Sequence, residues 1–416
     1  MERPEAMAWL DAWRDKHIIK VITGIRRCGK STILALYQDR LLAQGVPPDR
    51  IAFFDFEDPD TPEFASWKEA WDAIRPAVSG PGRGYVFLDE VQRVPDYERL
   101  VDGLAARKNA DVYITGSNAY ILSGDLGTFL TGRYVEYQLH PLSFAELHAS
   151  TSSPVGLTER FYDYLRFGGF PFAAGFHDAP RQVRDYLLGV LNTILFKDVV
   201  TRHKIKETAL LQRVVRFLFS NIGSLVSVNR IVGAFKSEGV STSAATIDSF
   251  LSALCETYLF HRADRYDIRG KGYLKTNAKY YAADTGLRQA LLGAKDADLG
   301  HLLENIVYLE LKRRFGEVYV GQLAAGEVDF VTFDGGIPSY WQVALTVRDP
   351  AVLARELAPL RAIHDHHRKT VLTLDLDPVS DHDGILVRPL LPFLLSDGEC
   401  GRGTCSCKVV CEKHGK

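Results

Sequence analysis

The chain has 416 residues, of which 46% are hydrophobic and 25% charged, fractions of an ordinary globular protein rather than a disordered or fibrous one. Its 50 Lys and Arg against 52 Asp and Glu leave a formal charge of −2, which excludes a globally basic coat for nucleic acid; any such contact has to come from a local patch. No run approaches the roughly 18–20 apolar residues of a membrane span, and the N-terminus MERPEAMAWLDAWRDKHIIK lacks the order of a signal peptide. The expectation is a cytoplasmic protein without membrane contact, built from about two to four domains.

The first element is a short apolar run, Ile18 to Thr23, followed by a turn and a helix-period segment from Lys30. Gly24, Gly29, Lys30 and Ser31 satisfy the pattern G-x-x-x-x-G-K-[ST]. Glycines let such a loop bend so that successive N–H groups face phosphates, and the following helix adds its positive end. Gly24, Ile25, Arg26, Arg27, Cys28, Gly29, Lys30, Ser31 and Thr32 therefore form the expected cradle. Lys30 would reach the β- and γ-phosphates, and Ser31 would offer a hydroxyl to Mg²⁺. Cys28 reads as a small filler of the loop.

IAFFDFED, residues 51–58, supplies another buried strand. About 60 residues beyond the loop, GYVFLDEVQ gives a further one that ends in Asp89 and Glu90. A buried strand of this kind delivers one carboxylate to the metal and the next to the attacking water, so Asp89 is assigned to Mg²⁺ and Glu90 to water activation. The strand in DVYITGSNAYIL ends in Thr115, Ser117 and Asn118, polar groups expected on the phosphate side, with Asn118 orienting water or simply capping a turn. Arg133 follows closely; it either stabilises charge on the transferred phosphoryl group, in cis or from a neighbouring copy in a homo-oligomer, or is a structural surface arginine. Apolar runs alternating with helical segments give a parallel α/β sheet.

The segments GIRRCGKST, FLDEVQRVPDYE, ITGSNAYILSGDLGTFLTGRYVEYQLHPLSFAEL, YLRFGGFP, FKDVV and KYYAADTGL resemble the predicted prokaryotic ATPases of the AAA superfamily, P-loop NTPases with a C-terminal domain of unknown function and nuclease-like fold. The resemblance runs from about Lys20 to about Leu395. It implies ATP binding, a Mg²⁺-dependent NTPase core and a DNA-linked activity, with no defined substrate.

After Ser153-Pro154 the composition turns helical. ERFYDYLRFGGFP stops at Gly168-Gly169 and Pro171, and the helix through Leu187, Val190, Leu191 and Ile194 ends near Lys197, Asp198 and Arg202. Those charges read as a solvated face with local ion pairs, or else as a subunit or nucleotide-sensing contact. Residues 208–285 suggest a winged helix: three helices, then two strands around Arg269-Gly270-Lys271-Gly272. Between His261 and Lys279 six Lys and Arg stand against two Asp, a candidate contact for the backbone of duplex DNA, although such folds also bind proteins.

From Gly300 the order helix, three strands, helix, strand resembles a restriction-endonuclease-like core. In that resemblance Glu304 and Asp329 take the carboxylate positions, with Glu327 as a further candidate. Where Glu-x-Lys belongs, the chain has Gln342-Val343-Ala344, and neither an amide nor an alanine can replace the missing charges. Cleavage is therefore not expected. The tail carries Cys400, Cys405, Cys407 and Cys411 before His414; it reads as a disordered, oxidisable extension, with Zn²⁺ binding as the alternative.

The expected organisation is thus α/β: a P-loop core over 1–150, a helical extension over 151–207, a winged-helix-like part over 208–285, an inactive nuclease-like domain over 286–396, and the tail 397–416. The expected activity is Mg²⁺-dependent ATP hydrolysis coupled to rearrangement of the later modules. The alternative is a nucleotide-gated regulator that binds DNA or protein with little turnover.

Overall fold

The apolar runs that precede the loop and the Asp-Glu pair are buried along their whole length, as strands covered on both faces must be. In the computed structural model, which describes residues 3–117, 132–151, 155–176, 179–293, 299–324 and 326–396, they join a five-stranded sheet. Its strands are β1 (Ile19–Thr23), β2 (Ile51–Asp55), β3 (Gly84–Asp89), β4 (Ala110–Gly116) and β5 (Tyr134–Gln138), in the order β2-β3-β4-β1-β5. Every pairing is parallel. Helices Lys30–Ala43, Trp67–Ser79 and Tyr97–Ala105 fill the crossovers between β1, β2, β3 and β4.

Alternation along β3 sorts its side chains between the two faces. Val86 and Leu88 enter a core with Ile74, Val78, Leu100 and Leu104. Phe87 stacks instead on Tyr113, at 4.8 Å between ring centroids, and meets Tyr37 of the helix after the loop. One charge pair lies inside this sheet: the ammonium of Lys20 on β1 binds the Asp111 carboxylate on β4, and both side chains have no exposed surface. Tyr113 donates its hydroxyl to the second oxygen of Asp111 at 2.9 Å, so the carboxylate is held on both sides.

The chain divides into two compact units, Met1–Ala263 with Thr276–Ile306, and Asp264–Lys275 with Val307–Lys416. In the first, the helix Leu157–Phe167 stops at Gly168, whose φ of +75° suits glycine. Helix Pro180–Thr193 then runs directly into a π-helical stretch, Ile194–Thr201. Helices Thr208–Ser220, Val228–Ser237 and Ala244–Glu256 follow; Ser227 and Ser243 cap the last two by accepting from the N–H groups of Arg230 and Thr246. A two-residue strand, β6 (Leu225–Val226), pairs antiparallel with the far end of a hairpin made of β7 (Phe260–Asp267) and β8 (Gly272–Ala282).

The second unit contains that hairpin's tip. Arg265, Tyr266 and Asp267 pair parallel with β9 (Val318–Leu323), and Tyr266 and Tyr273 pack with Tyr319 and Phe333. The tip of the hairpin is therefore tied by aromatic packing into a mixed sheet. That sheet continues through β10 (Gly326–Asp334), β11 (Ile337–Ala344), β12 (Arg368–Thr373), β14 (Ile385–Pro389) and β13 (Ser380–His382). The pairings of β9 to β10 and β10 to β11 are antiparallel, whereas β11 to β12 and β12 to β14 are parallel. Helix Pro350–Arg361 contributes Leu357 and Leu360 to its core, against Val328, Val331 and Val371. Among the described residues, no helix is long and apolar enough to cross a membrane.

Candidate functional site

The turn after β1 has a shape that only part of the amino-acid alphabet permits. Gly24, Arg27 and Gly29 have φ of +142°, +70° and +105°. A side chain at Gly24 would run into the carbonyl oxygen of Leu139 and stand 3.2 Å from the Cys28 sulfur, so close packing and backbone angle both demand glycine there. Gly29 precedes the first turn of the helix Lys30–Ala43. The Lys30 ammonium folds back over the loop and donates to the carbonyls of Gly24 and Ile25, at 3.0 and 3.3 Å. Cys28 is buried, and burial pushes its thiol up from the ordinary range, so it fills space as an uncharged group.

The acidic pair lies at the C-terminal end of β3, the edge where parallel sheets bind ligands. Asp89 is 1% exposed. The Thr115 hydroxyl donates to its Oδ1, whereas its buried Oδ2 has no hydrogen-bond partner among the described residues. Burial raises the Asp89 carboxyl above its ordinary range, against the opposing pull of the Ser31 and Thr115 hydroxyls, and the charges of Asp55 and Glu90 add to the rise. Ser31 and Asp89 are thus neighbours, 58 positions apart in sequence. Asp55 stands opposite Asp89 in the β2–β3 register.

Glu90 follows in a left-handed turn, φ +53°, and is 6% exposed. Its N–H donates to the Thr115 hydroxyl at 3.0 Å, and its Oε2 receives the Gln92 amide and, at 3.3 Å, the Ser117 hydroxyl. The expected polar end of β4 thus contacts both carboxylates through Thr115 and Ser117. Asn118 lies outside the described residues, as do the four tail cysteines.

Arg133 is not brought to this site. It precedes β5 at the end where Ile19 pairs with Tyr134, a strand's length from the loop, and its guanidinium binds Asp102 at 2.8 Å. A parallel register carries the two ends of β1 in opposite directions, so proximity in sequence to β4 misled the expectation of a role in cis.

Several contacts had no local signal. Arg3, 6% exposed, donates to the carbonyls of Cys28 and His140 and to Glu146, linking the N-terminus to the loop. Asp198, read either as part of a solvated face or as a subunit or nucleotide-sensing contact, is 4% exposed and binds Arg26 of the loop through both oxygens. Pro171 of the Gly-Gly-Phe-Pro stop lies beside Gly29.

The carboxylates of the nuclease-like pattern are otherwise engaged. Glu304 Oε1 receives the Lys279 ammonium at 2.9 Å and the Tyr281 hydroxyl at 2.7 Å. Asp329 accepts the N–H of Val343 at 2.9 Å, and Gln342 bridges the Asp329 N–H to Glu356. Among the described residues, no group of three or more His, Cys, Asp or Glu side chains is arranged to hold a metal ion. Lys279 is thereby removed from the basic surface that the hairpin composition suggested, while Arg262, Arg269 and Lys271 are exposed.

A parallel sheet of this order, with a glycine loop after β1 and an acidic pair after β3, is the P-loop NTPase fold. Residues 16–148 match the AAA domain family, and residues 158–298 match a domain of unknown function, DUF8612. An uncharacterized protein of Haemophilus influenzae is 38% identical over 402 residues, covering 95% of this chain and 98% of that protein. The chain belongs to the family of that protein. An uncharacterized protein of Methanocaldococcus jannaschii is 29% identical over 332 residues, 76% of this chain and 72% of its own. The Walker-type ATPase of Pyrococcus abyssi shares the fold, with a TM-score of 0.50 at 14% identity over 70% of this chain and 95% of its own.

Proposed function

We propose that the chain is an AAA-type ATPase that hydrolyses ATP with Mg²⁺ at the loop of residues 24–32. The observation that supports this most is the buried Asp89 carboxylate, whose Oδ2 has no hydrogen-bond partner among the described residues and whose titration the nearby Ser31 hydroxyl influences. An isolated carboxylate oxygen is costly to bury unless a cation or donor completes it. A hydroxyl and a carboxylate form a hard-oxygen pair that fits Mg²⁺. Ser31 and Asp89 would hold the ion, which would supply positive charge to offset the charge that develops on the terminal phosphate.

The remaining steps belong to side chains of this chain. Lys30 exchanges its two carbonyl partners for phosphate oxygens. Glu90, held through Oε2 by Gln92 and Ser117, accepts a proton from the attacking water. The loop N–H groups and the start of the helix Lys30–Ala43 fix the phosphates in place. Glu90→Gln should therefore bind ATP as wild type does while turnover falls by roughly 100-fold or more. Equal turnover in the two proteins removes Glu90 from the role.

A second reading adds duplex DNA as a partner. In the first unit, the helices 208–220, 228–237 and 244–256 follow one another as the helices of a winged helix do. In the second unit, taken by itself, the exposed Arg269 and Lys271 suit a phosphate backbone. Binding through these residues would weaken steeply with salt. We propose that the C-terminal domain does not cleave nucleic acid: in the nuclease-like resemblance, Gln342 and Ala344 stand where the Glu and Lys of Glu-x-Lys belong.

A further inference from the structure

Arg26 is placed within the phosphate loop, yet its guanidinium is bound by two carboxylates from distant parts of the first unit. Nε and Nη2 donate to the two oxygens of Asp198 at 2.9 and 3.1 Å, a bidentate fork. Nη1 donates to Glu57 Oε1 at 3.0 Å, and Arg93 holds the same oxygen at 2.9 Å. The Arg26 side chain is 12% exposed and that of Asp198 5%, so the fork works in a screened setting where pairing and orientation count for more than at a surface.

The position of this group relative to the phosphates follows from the sheet. Glu57 lies two residues beyond Asp55, the last residue of β2, and Asp55 stands opposite Asp89. The guanidinium therefore sits on the acidic-strand side of the loop. An ion held at Ser31 and Asp89 would contact the β- and γ-phosphates, which places the terminal phosphate on that side too. Arg26 and Arg93 against Glu57 and Asp198 form a balanced set of charges. A γ-phosphate arriving beside it adds negative charge that the guanidinium, held in orientation by the two carboxylates, attracts, whereas a diphosphate does not extend so far.

The other end of the fork is mechanically distinctive. Asp198 belongs to the π-helical stretch Ile194–Thr201, where Thr201 returns its hydroxyl to the carbonyl of Phe196, five residues back. Such winding is rare, is concentrated at functional sites, and lies close to ordinary α-helix in conformation. It is the kind of element whose geometry one ion pair can bias.

We infer that Asp198 is a positioning residue of the nucleotide site: acting through Arg26, it makes the loop sensitive to the terminal phosphate and carries that sensitivity to the segment 194–201. The inference rests on the proposed Mg²⁺-ATP reading of the loop and adds a determinant of triphosphate over diphosphate. Linkage makes the effect reciprocal, so disturbing Asp198 changes the nucleotide preference, and the nucleotide changes the segment.

The test is calorimetric titration of the full chain with Mg²⁺-ADP and with a slowly hydrolysed Mg²⁺-ATP analogue, in wild type, Asp198→Asn, Asp198→Glu and Arg26→Lys. Asp198→Asn should lower the preference for the triphosphate by about tenfold, the scale of a charge-assisted bond, and leave ADP affinity within about twofold. Asp198→Glu should restore part of the preference, and Arg26→Lys should lose it while Asp198 stays paired with a cation. Hydrogen exchange of residues 194–201 in wild type should respond more to the analogue than to ADP. Equal weakening of both nucleotides, or no change in their ratio, would reduce Asp198 to a scaffold residue and overturn the inference while leaving the ATP site standing. Identical exchange with the two nucleotides overturns the transmission to the helix. A wild type that binds neither nucleotide overturns the reading of the loop, and this inference with it.

Discussion

Replacing Gly24 by alanine perturbs the loop at the point where its shape is least negotiable. The new methyl group would overlap the Leu139 carbonyl oxygen, and the residue would be held at φ +142°, where side chains are rarely accommodated. Leu139 cannot retreat easily, because its own N–H is bonded to the Thr23 carbonyl at 2.8 Å. Relief must come from the loop, by a displacement on the order of 1 Å. Backbone strain of this type costs roughly 1–3 kcal/mol, which the large core of the sheet can absorb. A displacement of about 1 Å at a site that positions reacting groups lowers turnover by roughly 100-fold. The assay pairs steady-state ATP turnover with urea unfolding of the same preparation. A folded protein with a modest stability loss and nearly absent activity is expected. Full turnover in a folded Gly24→Ala protein would refute the claim that this loop conformation holds the phosphates.

Two other substitutions probe the site and its support. Asp111→Asn leaves Lys20 buried without its counter-charge and should cost about 3–5 kcal/mol in urea unfolding, whereas replacing both by apolar residues of similar volume should recover most of it; an unchanged midpoint in the single variant contradicts the pairing. Asp89→Asn tests the sign of the burial effect. Because the folded state raises the Asp89 carboxyl, its protonated form favours folding below the ordinary carboxylate range, and that contribution is lost as pH rises through the folded value. In the absence of divalent ions Asp89→Asn should therefore be more stable than wild type at pH 7 and equal to it near pH 3, while losing stabilisation by Mg²⁺ and nucleotide. Equal stability of the two proteins at both pH values would remove the desolvation argument.

What could be read from the residues alone was what local chemistry determines. Gly24 and Gly29 carry their conformational requirement with them, and the apolar run before Asp89 announces a buried strand whose end must face a ligand edge. The parallel sheet followed from apolar runs alternating with helical segments. Contacts between distant segments were not legible. Nothing near Asp198 says that it meets Arg26, 172 positions earlier, and the spacing of Ile194, Leu195 and Val199 suits an α-helix as well as the observed π winding. Glu304 looked like a metal ligand until the fold supplied Lys279 and Tyr281 as its partners. The in-cis role of Arg133 failed for a related reason, since short separation along the chain says little about which end of a parallel strand a residue occupies, and its pair with Asp102 matches the surface-arginine alternative.

The most direct measurement of the central claim is calorimetry of ATP against the purified full chain, with Mg²⁺ present and then removed by chelation. One site per chain is expected, weakened when the ion is withdrawn and abolished in Lys30→Ala. A folded wild-type protein that gives no binding heat with ATP or GTP at any temperature tested, with Mg²⁺ present, would contradict it.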